Sequence, residues 1–238
     1  MGYHLAPPLA VLATLLSAER LSTYQRHAPE WGRDPVALYL LGVELSASFQ
    51  ADLALVEVCL RNAMHAKLTA VYGPRWFAER RLLDERSQNA VIKAWADAAC
   101  RDDDPPGKVV ARLPMGFWVH LLEPGGYVGQ RPFREHRSYE DLLWRPALHR
   151  AFPNNASGRR ADVHRLAHIL YATRNRIAHH EPIIQGVRRP GVPHTAPNSR
   201  RSPQDLHSDA RDLLRMISDE VADWFATHSR TPTLLERR

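Results

Sequence analysis

The sequence predicts an all-α helical bundle carrying one long basic loop, and three observations lead there. Apolar residues recur at spacings of three and four along most of the chain, the period of a helix with one buried face. Helix start and stop signals, chiefly Asp-Pro, Gly-Pro and isolated prolines, fall at the ends of those runs. No stretch alternates apolar and polar residues well enough to be a strand.

Leu9–Arg20 reads as a short first helix entered through Pro7-Pro8. No basic region precedes it, so it is not read as a signal peptide. Asp34 caps the next helix, with Pro35 at the first helical position. That helix is expected to run to about Tyr72, where Gly73-Pro74 stops it. Its core stripe is Leu38, Leu41, Leu45, Phe49, Leu53, Val56, Leu60, Met64 and Leu68. Trp76–Leu83 and Asn89–Cys100 read as two further helices, followed by a polar break at Arg101–Pro106. Met115–Leu122 is a short aromatic helix ended by Pro124-Gly125-Gly126. Glu140–Phe152 is helical, with an interruption near Pro146, and Arg160–His180 forms another helix. Gly186–Pro203 is rich in Pro, Gly, Arg and Ser and reads as a mobile loop. Asp205–Thr227 closes the chain as an amphipathic helix. The expected organisation is one domain over 1–238: an N-terminal helix and connector at 1–33, a flexible loop at 186–203 and the final helix at 205–228.

A hydrophobic fraction of 44% is enough for a sizeable core. The formal net charge is +6 and the isoelectric point about 9.7. Arginine greatly outnumbers lysine, which suits planar, two-pronged contact with phosphate, so a nucleic-acid partner is a live expectation. Cys59 lies in an apolar run and reads as a core residue, and nothing suggests a disulfide framework. No apolar run approaches the length of a membrane span. Together these features point to a reducing cytoplasm.

The most informative stretch is Arg174-Asn175-Arg176-Ile177-Ala178-His179-His180-Glu181-Pro182. Stepping by four from Leu166 gives Leu170, Arg174 and Ala178, so Arg174 is expected to extend the buried stripe. A guanidinium there is costly unless an anion meets it. Asn175 and His179 share the neighbouring face, as do Arg176 and His180. Pro182 disfavours helical geometry at Glu181, so the helix is expected to end at the histidines. There an imidazole meets the negative end of the helix dipole.

This combination suits acid–base work on a phosphodiester. Imidazole, with an ordinary pKa of about 6.5, exchanges protons near neutrality. Arginine holds the phosphate and meets the charge that develops at phosphorus. RNA supplies its own nucleophile, the 2′-hydroxyl, so no metal or other cofactor is needed. A plainer reading, a salt-bridged helix end with two solvated histidines, remains the alternative.

At these residues the chain resembles the Abi-like (AbiD/AbiF-type abortive-infection) proteins of the HEPN superfamily. Arg174-Asn175-x3-His179 is similar to the superfamily's Arg-polar-x3-His ribonuclease motif. Two upstream segments also resemble that family: Glu57-Val58-Cys59-Leu60-Arg61-Asn62-Ala63-Met64-His65 and Leu113-Pro114-Met115-Gly116-Phe117-Trp118-Val119. Together the matches span roughly Leu38 to Ile183. The resemblance implies a HEPN-type bundle with additional helices and metal-independent RNA cleavage at a homodimer cleft. It also implies a role in phage defence or a toxin–antitoxin pair, with an RNA or protein antitoxin as a further partner. By match, Arg174 and His179 form the catalytic pair and Asn175 orients them. His179 is preferred to His180. Arg176 and the loop residues Arg188, Arg189, Arg200 and Arg201 are expected to hold RNA.

Glu57, Arg61 and His65 recur every four residues and so share one face of the long helix. They read either as an ion pair beside a partly buried histidine or as support for the site. His164 and His168 have a metal-ligand spacing, but no acidic or cysteine cluster joins them, so they are read as exposed histidines. Trp76, Trp95, Trp118, Trp144 and Trp224 are expected to pack in the core. A non-catalytic RNA- or protein-binding module of the same fold is the competing function.

Overall fold

The computed structural model describes residues 9–237, and Pro7 and Pro8 lie outside the described residues. Helices α1 (Leu9–Leu16) and α2 (Ala18–His27) replace the single first helix expected. The break falls at Ser17, whose φ is 64° and whose side chain caps α2. Helix α3 (Pro35–Tyr72) then runs for 38 residues. Asp34 Oδ1 accepts from the backbone N–H groups of Val36 and Ala37, and Gly73, at φ 84°, ends the helix. All nine residues of the expected α3 stripe are buried. Each leucine among them contributes roughly 1.5–3 kcal/mol by leaving water.

Trp76–Leu83 is not the helix expected. Only a single 3-10 turn forms at Trp76–Ala78 before α4 (Glu85–Asp97), which starts four residues earlier than expected because Asp84 caps it. α5 (Pro106–Val110) and α6 (Met115–His120) are short. Strands β1 (Gly125–Val128) and β2 (Glu135–Ser138) pair antiparallel, a hairpin that the absence of alternation had argued against. Glu140–Trp144 is π-helical and Leu148–Ala151 3-10 helical, one on each side of Pro146.

α7 (Arg160–Ala178) carries the motif. β3 (Val187–Arg188) pairs with β4 (Arg200–Arg201), so the basic loop is closed at its base by a two-residue ladder. The final helix divides into α8 (Pro203–Ile217) and α9 (Asp219–His228). Ser218 separates them and its hydroxyl caps the second; α10 (Thr231–Leu235) follows. Trp224, expected in the core, is 51% exposed. The class is all-α, with two small two-stranded sheets.

The chain falls into two compact units. The first comprises Met1–Asp52, Ala172–Ser208 and His228–Arg238, the second Leu53–Tyr171 and Asp209–Thr227. In the first, Leu38, Leu45, Phe49, Ile183, Val187 and Leu206 are buried. Its C-terminal segment is tied down by a buried carboxylate: Asp52 Oδ2 accepts from Thr231 Oγ1 (2.6 Å) and Ser229 Oγ (2.9 Å). In the second, Trp76, Phe117 and Trp118 form an aromatic cluster with ring centroids 5.2–6.2 Å apart. Packing at that density explains why Trp76 sits in a tight turn: the turn lets its ring reach Phe117 and Trp118.

Candidate functional site

The motif residues sit where α7 ends, in the first unit. His180 N–H donates to Ile177 O (2.9 Å) and Glu181 N–H to Arg176 O (2.8 Å), a two-bond closure with His180 at φ 55°. This is a Schellman end, in which the left-handed residue is ordinarily glycine. Helix geometry thus stops at Ala178, and His179 becomes the cap, its N–H donating to Asn175 O (3.0 Å). Two arginines reinforce the turn. Arg20 Nη1 donates to His180 O (2.7 Å). Arg176 pairs with Glu181 (3.0 Å) and donates to Pro182 O (3.0 Å). Arg176, expected to hold RNA, is therefore engaged with its own helix end.

Arg174 does not extend the buried stripe. That stripe runs Val163, Leu166, Ala167, Leu170, Thr173 and Ile177. Thr173 fills the position, and Arg174, about 100° further round the helix, is half-buried. Its guanidinium makes no hydrogen bond or ion pair among the described residues. Asn175 is half-buried, and His179 and His180 are exposed. Among the described residues no side-chain hydrogen bond links Arg174, Asn175 and His179 to one another; His179 and Asn175 are joined through the backbone alone. A cleft of about 480 Å³ opens beside this helix end, lined in part by Arg20, Tyr24, Tyr39, Gln50, Ile177 and His180. Arg174 and His179 are not among its lining residues.

The loop arginines differ in what they do. Arg200 donates from Nε to Gln185 O (2.8 Å) and from Nη2 to Gly186 O (2.6 Å). Burial, together with the neighbouring charges of Arg176 and Arg188, lowers its pKa. Arg188 Nη1 lies 2.8 Å from His194 Nε2, and Arg201 pairs loosely with Asp205 (3.9 Å). Among the described residues only the backbone of Arg189 is held, its N–H donating to Ser199 O.

Glu57, Arg61 and His65 belong to the second unit. All three are half-buried, and the expected Glu57–Arg61 pair does not form among the described residues; Arg61 Nε donates to Asn62 Oδ1 (3.3 Å) instead. Trp76 Nε1 donates to His65 Nδ1 (3.0 Å), and burial plus the charge of Arg61 lower the His65 pKa. His65 is thereby a neutral acceptor for a core tryptophan.

The sequence reading missed a buried acid–imidazole network in the second unit. His120 Nε2 donates to Asp84 Oδ2 (2.7 Å), while its Nδ1 lies 2.9 Å from Glu123 Oε2 and 3.1 Å from Arg86 Nη1. Those last two contacts exclude each other: a protonated Nδ1 donates to Glu123, and a bare one accepts from Arg86. Burial pushes His120 down, but its bonds to Asp84 and Glu123 outweigh that and raise its pKa. Burial pushes Asp84 up, yet the bonds from His120 and from Ser87 N–H bring it down to about 2. Tyr139 donates to Ser87 Oγ (2.7 Å) and accepts from Asp84 N–H (3.1 Å). His164 and His168, expected to be exposed, are half-buried, with ring centroids 5.0 Å apart. No three His, Cys, Asp or Glu side chains are grouped to hold a metal among the described residues. The one sequence signal for this network was Asp84 three residues before Ser87, a helix cap.

The fold and this helix end define a mostly helical protein with an arginine–histidine terminus and a basic surface loop. No known protein family, curated protein or solved structure matches the chain. Among the described residues no helix is long and apolar enough to cross a membrane.

Proposed function

We propose that the chain is a metal-independent endoribonuclease of the Abi-like, HEPN type, acting from the end of α7. The observation that carries the reading is the Arg174 guanidinium, half-buried and unpaired, one turn before an exposed histidine cap. A cation left without a partner, with an exposed imidazole five residues further on, suits a phosphate that arrives from outside. In this reading Arg174 grips the scissile phosphate. His179 accepts the 2′-hydroxyl proton as the 2′-oxygen attacks phosphorus, or delivers a proton to the leaving 5′-oxygen. The products carry 2′,3′-cyclic phosphate and 5′-hydroxyl ends. Arg189, with its guanidinium unengaged among the described residues, is the loop residue best free to follow the RNA backbone.

The proposal includes a homodimer. Leu40, Val43, Ala47 and Ala51 stand exposed at spacings of three and four on α3, an apolar stripe that a second copy can cover. A role in phage defence or a toxin–antitoxin pair, with an RNA or protein antitoxin as restraint, belongs to the same reading. The competing reading, a non-catalytic binding module, draws on the lack of any side-chain hydrogen bond joining Arg174, Asn175 and His179 among the described residues.

Cleavage of RNA in the presence of EDTA decides between them. The wild type is expected to cut, and Arg174→Ala and His179→Ala to lose about a hundredfold or more in rate, the scale of a lost acid–base or charge-stabilising group. Undiminished cutting by either variant overturns the assignment, and a wild type that binds RNA without cutting it favours the binding module.

A further inference from the structure

The β1–β2 hairpin presents an arrangement that the cleavage reading does not use. Tyr127 and His136 are cross-strand partners, so their side chains share one face, with ring centroids 4.9 Å apart. The Arg134 guanidinium lies over the Tyr127 ring, 3.8 Å from its centroid. Phe133, in the loop between the strands, is 87% exposed, and Tyr127 is 46% exposed. Arg131 and Arg134 are exposed in the same loop. The other face is anchored. Gly126 approaches Asp84 so closely that a β-carbon would lie 2.5 Å from Asp84 Oδ2, and Arg137 pairs with Glu135 at 2.8 Å.

At 87% exposure the Phe133 ring stands open to solvent at the tip of the hairpin, and what distinguishes it is the company it keeps. Set beside the exposed Arg131 and the Arg134 guanidinium that lies over Tyr127, it offers a flat π-face for a base and cations for phosphates. That pairing is how single-stranded nucleic acid is held without sequence readout. Strands of four residues provide no groove for a helix, and a lone exposed Phe is too little apolar surface for stable membrane anchoring. We infer that this hairpin is a stacking platform for single-stranded RNA, with Phe133 and Tyr127 receiving bases and Arg131 and Arg134 the adjoining phosphates.

The test is fluorescence anisotropy of a short labelled oligoadenylate titrated with the full chain in a His179→Ala background, which keeps the probe intact. Phe133→Ala and Tyr127→Ala are expected to weaken binding about tenfold each, the usual loss for one stacked base. Phe133→Leu, which keeps the apolar bulk, should weaken it comparably. Arg134→Ala should also lower the slope of log affinity against log salt by about one. Ile92→Ala, an exposed apolar change elsewhere in the same unit, should leave binding unchanged. Parental affinity in both aromatic variants overturns the inference. An equal loss on a duplex of the same length overturns it too, since a duplex hides its base faces. Selective loss of binding to phosphatidylglycerol vesicles, with RNA binding intact, does the same by assigning the hairpin to a membrane surface. Cleavage is read separately: a wild type that cuts nothing removes the nuclease reading and leaves these affinities to stand or fall on their own.

Discussion

Replacing Asp84 by Asn tests the buried network most directly, because asparagine keeps the helix cap and removes the charge. Asp84 Oδ1 accepts from Ser87 N–H at 2.8 Å, and the Asn carbonyl can do the same. Its amide then faces His120 and must donate, forcing the ring into the neutral form with the proton on Nδ1, toward Glu123. The Asp84 carboxyl is held at about 2 against an ordinary 3.8. At 1.36 kcal/mol per unit, the interactions that favour its charge amount to about 2 kcal/mol. For a chain of this size that is a fall in melting temperature of roughly 4–8 °C.

The pH dependence has a definite sign. Asp84 is depressed, so its contribution is present above about pH 4 and fades as pH falls toward 2. His120 is raised, so its contribution is complete below about pH 6.5 and is lost as pH climbs through its folded value. The stability gap between wild type and Asp84→Asn should therefore be widest between about pH 4 and 6.5 and narrow on either side. It should not vanish at high pH, because Arg86 can donate to the bare Nδ1 while Nε2 still serves Asp84. Calorimetric melts across that range, with the His120 ring proton followed by NMR, supply the measurement. A gap that is flat with pH, or that grows toward alkali, refutes the assignment of charge.

Two further changes probe the backbone. His180→Gly should stabilise the chain by about 1 kcal/mol, since glycine relieves the left-handed cap and the Arg20 bond goes to a main-chain carbonyl. The same variant should keep RNA cleavage if His179 carries the proton; lower thermal stability would contradict the strain argument. Gly126→Ala should cost about 1–3 kcal/mol in denaturant melts, because its methyl meets a carboxylate oxygen that cannot retreat without leaving His120.

Long-period information was legible in the chain. Every predicted core position on α3 is buried, and both ends of that helix were marked by Asp34 and Gly73. Thirty-eight residues at one period leave little ambiguity. Short elements were not legible: strands of two or four residues hold too few positions for alternation to register. The motif helix was right in extent to within two residues and wrong in phase at two positions, Arg174 and Ala178, the second of which is exposed. Counting by four carried the stripe to Arg174, whereas the structure steps by three from Leu170 to Thr173. The acid–imidazole network joins residues 36 positions apart, and nothing local marks such a meeting. The hairpin's aromatic and basic residues were visible as letters, but their common face depends on a register only pairing sets.

Arg200 sits among like charges. Arg176 and Arg188 both press on it, and its own bonds are to neutral carbonyls at the foot of the loop. Glu181 offsets part of the Arg176 charge, and the repulsion left among these cations is relieved by any counter-ion that settles there. The base of the loop should consequently tighten as ionic strength rises, opposite to the usual weakening of surface ion pairs. Hydrogen exchange at Val187 and Arg201 would register the change in protection.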